Sequence, residues 1–320
     1  MTQSLRHSND RRLTQEQFQG LAEVPPELEW FANITNKRTR AAYRSDLQDF
    51  QRFIGIGKPE EYREVTRAHV IAWRTDLERR SLAPATQRRK LAALSSLFQY
   101  LCERNAVLNN PAHGVKRPSE GSNEGKTPAI SDDQARMLLA APSADTLKGR
   151  RDRAILAVLL YHGLRRDELC RLKVGDLEQR RGVMHLRVHG KGDKIRFIPA
   201  HPKALTLIQD YLDRVRHGAE VDGPLFRPLR NTRDGNLDKP LDPSAIYRNI
   251  VQHYAKQAHL NVRGLSPHAL RSTAATNALD HGADIARVQV WLGHSDISTT
   301  RLYDKRSSRP EESPTFKVDY

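Results

Sequence analysis

Apolar residues recur along this chain at two spacings, and the change from one to the other divides the sequence. From Leu28 to about Asn110 they recur every three or four residues, as in Thr39 to Ile54, and this spacing predicts helices. Thr66 is placed to cap a second helix, and Pro84 to open a longer third one. No strand pattern occurs here, so we predict an all-helical bundle.

Helical spacing resumes at Ser131, which is placed to cap a helix, and a buried helix over 151–161 ends at Gly163. The period then changes to two in 183–188 and 195–198, on either side of a turn that begins at Gly190. That change predicts a β-hairpin. Further helices are predicted around 203–215 and 244–259, with a loop between them at 222–243.

The last patterned stretch, Leu265 to Tyr303, predicts two packed helices and a short third segment. Ser266 is an N-cap with Pro267 in the first turn, Gly282 ends that helix, and Asp284 can cap the next. Polar and aromatic side chains follow these helix ends, where side chains from different helices can converge. They include two histidines, an arginine and a tyrosine.

Composition narrows the class of partner. The 320 residues carry 53 Lys+Arg against 38 Asp+Glu, a formal charge of +15. So basic a globular chain usually faces a polyanion, although a ribosome-associated or merely cationic protein has the same composition. No apolar run approaches the ~20 residues of a membrane span, and the N-terminus lacks a signal-peptide core. With Cys102 and Cys170 predicted to be reduced thiols, we expect a cytoplasmic protein without a membrane partner.

Four short motifs stand in a fixed order along the second half of the chain. They read GLRRDEL from Gly163, GKG from Gly190, HALR from His268, and LGHSDISTT followed by Tyr303, nine residues after His294. Together they resemble the signature of the tyrosine recombinases, the phage-integrase and Xer-type family. Any one motif alone is weak, but the ordered set is specific.

The resemblance covers roughly residues 28 to 305 and implies a fold that is mainly α with a small β-hairpin or sheet. It implies a two-domain clamp, in which an all-helical core-binding domain that binds DNA precedes an α+β catalytic domain. The Gly-, Ser- and Pro-rich stretch VKRPSEGSNEGKTP reads as an extended tether between the two. The expected division is a mobile N-terminal tail at 1–27, the helical domain at 28–114, a linker at 115–128, the catalytic domain at 129–305 and a C-terminal tail at 306–320.

The resemblance also implies how a phosphodiester would be cut. Tyr303 would be the nucleophile and form a 3′-phosphotyrosyl ester, with His268 accepting its proton. Lys191 at the hairpin turn would protonate the leaving 5′-oxygen, and Lys194 is a rival for that role. Tyr161 and Tyr320 are poorer nucleophile candidates because they lie outside the spacing from the LGH motif.

The remaining implied residues would bind the phosphate. Arg165 and Arg271 would present their planar guanidinium groups to its nonbridging oxygens, and His294 would add a hydrogen bond. Glu168, three residues after Arg165, would orient an arginine or His268. Each residue also has an ordinary interpretation, such as a surface cation or a plain hairpin turn, and the ordered combination is what argues against it.

A second basic cluster lies in the helical domain and is a candidate DNA-binding site. Five cations flank one loop and helix start with no acid inside either run, which favours contact with DNA phosphates over a merely solvated face. They are Arg79, Arg80, Arg88, Arg89 and Lys90.

The implied activity is site-specific recombination of double-stranded DNA through a Holliday junction, by a homotetramer on synapsed sites and with scope for an accessory directionality factor. Alternatives are a type IB topoisomerase-like monomer that nicks and closes one strand, or a non-catalytic DNA-binding accessory protein. No metal-ligand spacing and no ATP-binding loop occurs, so we expect no cofactor. Ser272-Thr273, and the Asp-Lys-Arg that follows Tyr303, depart from the Xer-type pattern and favour a transposon, plasmid or phage recombinase.

Overall fold

The computed structural model describes residues 14–22, 24–119, 127–190, 194–230 and 234–304. The chain forms two compact units, Met1–Ser122 and Asn123–Tyr320, and each is described by itself. Within the described residues, no helix is both long and apolar enough to cross a membrane.

The described residues of the first unit form helices joined by turns and loops and contain no strand, as predicted. Asn36 caps the third helix by accepting from the backbone N–H groups of Arg38 and Thr39, and Gly55 ends it in the left-handed region at φ 82°. Pro84 stands at the first position of the longest helix. The helices are α1 (Gln15–Ala22), α2 (Pro26–Asn33), α3 (Lys37–Ile54), α4 (Arg67–Arg79) and α5 (Pro84–Glu103). Helix α1 lies inside the stretch expected to be a mobile tail. The sequence did not predict this helix because its few apolar residues show little periodicity.

The core of this unit is built from the apolar stripes of α3, α4 and α5. Phe50 of α3 meets Trp73 of α4 edge-on, with ring centroids 5.0 Å apart. Phe98 of α5 packs edge-on against Tyr62 at 5.9 Å. Ala112 and Val115 complete the core, so the chain just after α5 remains part of the packed unit.

The second unit surrounds one buried helix, α7, whose apolar residues face the core on all sides. Along the sequence, some helices of this unit precede a small sheet and the others follow it. The helices are α6 (Asp132–Ala140), α7 (Leu147–His162), α8 (Arg166–Arg171), α9 (Pro202–Leu212), α10 (Pro243–Ala245), α11 (His253–Gln257), α12 (Pro267–Asp280), α13 (Ile285–Leu292) and α14 (Ser298–Arg301). A π-helical segment, Ile246–Gln252, joins α10 to α11.

The expected hairpin is present and has one more strand than predicted. Strands β1 (Leu177–Arg180), β2 (Val183–His189) and β3 (Ile195–Pro199) form an antiparallel sheet in the order β1-β2-β3. The register pairs Leu186 with Ile198, and both are buried. On the opposite face, Ile195 and Phe197 are exposed. Arg196 therefore lies on the inward face with Ile198. A sheet with one solvated face usually places apolar residues inward and charged residues outward, whereas this strand places a charged residue inward and two apolar residues outward.

Candidate active site

The site is built where two helices of the second unit end. Gly163 ends α7 at φ 58° and Gly293 ends α13 at φ 70°, both in the left-handed region that favours glycine. A Cβ on Gly163 would stand 2.8 Å from Cδ2 of Leu292, so the two helix ends touch. The carbonyl groups at these ends point at a common place.

Arg271 of α12 occupies that place and is 1% exposed. Its guanidinium donates to the carbonyl oxygens of Gly163 and of Leu292, the latter at 2.7 Å. Helix C-termini carry partial negative charge, so the two ends stabilise this buried cation. Burial and the nearby charge of Arg165 nevertheless lower the pKa of Arg271 to about 10, which leaves it protonated at neutral pH.

Arg165, the residue just before α8, is the more exposed of the two arginines. It donates to Oε1 of Glu168 at 2.8 Å and to the carbonyl oxygen of Gly293 at 3.0 Å. Its backbone N–H donates to the other oxygen of Glu168 at 2.8 Å. Hydrogen bonds therefore hold both the backbone and the guanidinium of Arg165. The two arginines come from motifs about a hundred residues apart in the chain.

Arg196 of β3 is a member of the site that the sequence analysis missed. Its guanidinium donates to both carboxylate oxygens of Glu168, at 3.0 and 2.8 Å. Its Nε donates to the carbonyl oxygen of Trp291 at 3.2 Å. Burial would raise the pKa of Glu168, but the hydrogen bonds and charge of Arg196 and the hydrogen bonds from Arg165 lower it to about 2. No local signal in the sequence reveals this role, because Ile195, Phe197 and Ile198 are apolar and the alternation does not show which face of the strand is inward.

Tyr303 is only 6% exposed and packs in a small cluster of buried side chains. Thr276 of α12 donates to its carbonyl oxygen at 3.3 Å. Burial raises the pKa of Tyr303, whereas the charges of Arg271 and Arg165 and a hydrogen bond from Arg271 oppose that rise. The phenol thus lies beside both arginines, whose charges favour its anion and oppose the cost of burying it.

Both candidate histidines lie in the same positive surroundings. His294 follows α13, and its ring centroid is 6.0 Å from that of Tyr303. Burial, then the charges of Arg271 and Arg165, lower the pKa of His294 to about 4. His268 keeps access to solvent, yet the protein packed around its ring and the same two arginines also lower its pKa. Both rings are therefore neutral near pH 7.

Lys191, the expected general acid, lies outside the described residues. The described ends of its turn are close together, since the backbone N–H of Gly190 donates to the carbonyl oxygen of Lys194 at 2.7 Å. Among the residues that the structure describes, no group of three or more His, Cys, Asp or Glu side chains could hold a metal ion.

The five cations of the first unit do not share one environment. Lys90 is only 7% exposed, and its ammonium group lies 2.9 Å from Asp49 and 3.4 Å from Asp46. Arg80 pairs with Asp49 at 3.0 Å, and Arg89 pairs with the buried Asp46. Both acids come from α3, between 31 and 43 residues earlier in the sequence than their hydrogen-bonded partners, so the runs looked free of acid only when read locally. This corrects the expectation for Lys90, whose charge is enclosed by protein.

The other two members of that cluster differ from each other in exposure. Arg79 is 80% exposed at its side chain and pairs with Asp76 one helical turn before it, at 2.7 Å. Arg88 is half-buried in the first part of α5. Surface pairs of this kind are worth at most ~1 kcal/mol, so Arg79 can exchange its partner for a phosphate at small cost.

A buried tyrosine beside two arginines and a histidine brings a candidate nucleophile together with groups that can bind a phosphate. Two family descriptions match the chain: the phage integrase family over residues 128–309, and the phage integrase N-terminal SAM-like domain over residues 33–105. The chain belongs to the phage integrase family, the tyrosine recombinases, which cleave and rejoin DNA at specific sites.

Named relatives support the same conclusion over most of the chain. Tyrosine recombinase XerD of Pseudomonas putida is 34% identical over 277 residues, which cover 86% of this chain and 88% of that protein. Tyrosine recombinase XerC of Pelobacter propionicus is 35% identical over 268 residues, covering 83% of each.

Solved structures share the fold at lower identity. The XerH site-specific recombinase in a post-cleavage complex with a palindromic difH substrate has a TM-score of 0.67 and 20% identity, covering 87% of this chain and 80% of that one. A lambda integrase dimer bound to a COC′ core site has a TM-score of 0.64 and 17% identity, covering 94% of this chain and 98% of that one. The mainly helical architecture with one small sheet is therefore the fold of these recombinases.

Proposed function

We propose that this recombinase cuts DNA by attack of Tyr303 on a backbone phosphorus, with Arg165, Arg271 and His294 binding the phosphate. The oxygen of Tyr303 forms a bond to phosphorus as the bond from phosphorus to the 5′-oxygen breaks. The proton of the phenol passes to His268, and the departing 5′-oxygen takes a proton from Lys191. The products are a 3′-phosphotyrosyl ester and a free 5′-hydroxyl, which keep the bond energy available for rejoining.

One observation carries this assignment, namely the burial of the Tyr303 phenol against Arg271 and Arg165. A tyrosine whose only role was packing would gain nothing from two cations at its hydroxyl. A nucleophile gains twice, because the same charges favour its anion and then the extra charge on the phosphate in the transition state. The glycine-ended helices hold the arginines in place before substrate binds, which reduces the reorganisation that the reaction requires.

The test is to replace Tyr303 by Phe and supply a nicked suicide substrate that traps covalent protein on DNA. Tyr303→Phe is expected to bind DNA as the unaltered protein does and to trap no adduct. Tyr161→Phe, which removes a hydroxyl from the end of α7, serves as the matched control and is expected to trap adduct normally. An adduct that persists in Tyr303→Phe assigns the nucleophile to another residue.

We further propose that the active form is a homotetramer on two synapsed DNA sites, with strands exchanged through a Holliday junction. The topoisomerase-like alternative uses the same covalent chemistry but needs one protein molecule and one site. Mixing two labelled DNA sites separates the two, because only a recombinase joins a strand of one site to a strand of the other. Relaxation of supercoils without any joined product would favour the monomeric alternative.

The host element is also a proposal, for which we retain a transposon, plasmid or phage. Its support is the departure at Ser272-Thr273 from the Xer-type pattern. Both side chains are nearly buried, and the Thr273 hydroxyl accepts from the backbone N–H of Ile130 at 3.0 Å while donating to the carbonyl oxygen of Ala269 at 2.9 Å. In this chain these residues therefore pack the middle of α12 against the segment at Ile130. Recombination at the ends of a flanking mobile element, compared with a chromosomal dimer-resolution site, tests the assignment.

We assign the DNA-binding domain to 28–114, the linker to 115–128 and the catalytic domain to 129–305. Two features support this division: the compact units separate at residues 122 and 123, and the family matches stop at 105 and resume at 128. The C-terminal tail at 306–320 lies outside the described residues. Limited proteolysis of the DNA-free protein tests the division, since cleavage is expected first within 115–128.

A further inference from the structure

His294 is hydrogen-bonded to one buried hydroxyl. Its Nδ1 lies 2.9 Å from Oγ1 of Thr300, which is 0% exposed. Thr300 belongs to α14, the short helix that leads directly to Tyr303. Among the described residues this is the one hydrogen bond that the Thr300 side chain makes. The backbone of His294 is held separately, by Gln289 at 3.1 and 3.2 Å.

Two proton arrangements fit a distance of 2.9 Å, and they differ in what is left unpaired. If Nδ1 carries the proton, it donates to Oγ1, and the hydroxyl proton of Thr300 then lacks an acceptor in a place closed to water. If Nδ1 is bare, the hydroxyl donates to it and both groups are satisfied. An unpaired buried donor is costly, and its cost favours the second arrangement by roughly fivefold to a hundredfold.

The choice matters because His294 is neutral near pH 7, its pKa being lowered to about 4 by burial and by Arg271, Arg165, His268 and Arg196. A neutral imidazole has one N–H group, so it can donate from only one nitrogen. With Nδ1 used as an acceptor, that N–H group is at Nε2, the nitrogen that Thr300 does not contact.

We propose that Thr300 is a positioning residue that fixes His294 in the tautomer with its proton on Nε2, which then donates to the DNA phosphate. The inference deepens the proposed function, because it rests on His294 contacting the phosphate. It also explains why a hydroxyl is buried in the segment that joins His294 to Tyr303, where an apolar side chain would pack without any need for a partner.

The experiment uses the full chain in four forms: unaltered, Thr300→Val, Thr300→Ser and Thr299→Val. Valine keeps the shape of threonine and removes the hydroxyl, serine keeps the hydroxyl, and the exposed neighbour Thr299 supplies the matched control. Thr300→Val is expected to lower the single-turnover cleavage rate by about tenfold to a hundredfold, as other supporting contacts of functional histidines do. Thr300→Ser is expected to stay within about threefold of the unaltered protein, and Thr299→Val to match it.

Ring nitrogen NMR on ¹⁵N-histidine-labelled protein provides a readout that altered packing alone would not move. The His294 signal, identified by its absence in His294→Gln, is expected to show Nε2 protonated and Nδ1 bare, and to become a mixture in Thr300→Val. Protonation at Nδ1 in the unaltered protein overturns the inference, as does a serine variant that is as slow as the valine variant. If His294→Gln itself cleaves normally, the proposed role of His294 fails, whereas the tautomer measurement still decides what Thr300 does.

Discussion

Arg271 is a buried cation hydrogen-bonded to carbonyl oxygens rather than to a carboxylate. A carboxylate partner would neutralise it and compete with the phosphate for its charge. Carbonyl groups satisfy part of the guanidinium and leave its net charge available to the substrate. Arg165 differs from it, because its side chain is 40% exposed and is paired with the carboxylate of Glu168.

The two arginines should therefore differ when each is removed. Both Arg165→Ala and Arg271→Ala are expected to slow single-turnover cleavage by about a hundredfold or more, because each loses a contact that strengthens in the transition state. Only Arg271→Ala should also lower the free energy of unfolding markedly, by about 1–3 kcal/mol, since it leaves two buried carbonyl groups unpaired. Cleavage assays with denaturant unfolding check both parts, and equal stability losses would contradict the contrast.

His162, at the end of α7, gives the protein an acid-sensitive point next to the site. The residue is buried, and its Nε2 accepts from the backbone N–H of His201 at 2.9 Å. Burial lowers the pKa of His162 to about 4 from an ordinary 6.5. Between those two values the unfolded chain binds a proton that the folded chain does not, so stability falls as the pH falls.

We expect His162→Gln, which retains an acceptor, to remove ~3 kcal/mol of the stability loss between pH 6.5 and pH 4. Denaturant unfolding at a series of pH values measures this loss. His281→Gln, at an exposed position beyond α12, is the control and should leave the profile unchanged. A His162→Gln profile as steep as that of the unaltered protein would assign the acid sensitivity to other groups.

The position of Arg196 shows one thing that the sequence did not determine, namely which face of the hairpin is inward. Strand periodicity placed Arg196 and Ile198 on one face of the hairpin, and Ile195 and Phe197 on the other. Since three of these four residues are apolar, the pattern could not tell which face is inward. The buried carboxylate of Glu168 decides it, and that residue lies in a different motif. Residues identified by a motif were predictable, whereas their partners depended on the three-dimensional packing.

Among the elements, the ends of α7 and α13 contribute more to the site than the helices themselves. Gly163→Ala is expected to lower the free energy of unfolding at least twice as much as Gly182→Ala does. Gly182 is the control because it lies in the β1–β2 turn at φ 80° with open space around it. Both bear the ~1–2 kcal/mol cost of a left-handed side-chain-bearing residue, but only Gly163→Ala also presses on Leu292. Cleavage should fall in Gly163→Ala alone. Unfolding and cleavage measurements on the pair test this, and equal effects would show that backbone strain is the whole effect.

The sheet contributes through Arg196, which links β3 to the segment around Gly293. Arg196→Gln is expected to lower the cleavage rate by about tenfold to a hundredfold. The Glu168 carboxylate then loses its hydrogen bonds from Arg196 and no longer holds Arg165 in place. DNA binding should change little, since Arg196 is largely covered. Single-turnover cleavage with a separate binding assay checks this. A matching fall in affinity would instead make Arg196 a contact to DNA.

Most elements were predictable because their ends carry strong local signals. Ser131, Ser266 and Asp284 each accept a backbone N–H as caps, as their positions predicted. Strand β1 was missed because Leu177 is its single apolar residue, so it has no alternation of its own. Its structure comes from pairing with β2, a contact that no local pattern encodes.

At the scale of the whole molecule, net charge predicted a polyanionic partner but not which cations meet it. Arg79→Ala and Arg88→Ala are each expected to reduce the slope of log affinity against log salt by about one, the value for one phosphate contact. Lys90→Met should leave the slope unchanged and lower the stability of the first unit, because Asp46 and Asp49 lose a buried partner. Binding titrations over a range of salt measure the slopes, and a Lys90→Met slope that falls with the others would contradict the distinction.

The outward face of the small sheet has a consequence for how the protein behaves at high concentration. Ile195 and Phe197 are exposed on β3, and among the described strands β3 pairs with β2 alone, so its other edge is open. An open edge with apolar side chains can template pairing with another chain. Lys194 precedes this strand and Pro199 ends it, and a cation and a proline are the residues that discourage such pairing. The guanidinium of Arg180 also lies 3.5 Å from the centroid of the Phe197 ring, so resistance to aggregation in this region rests on local residues in addition to the protein's overall positive charge.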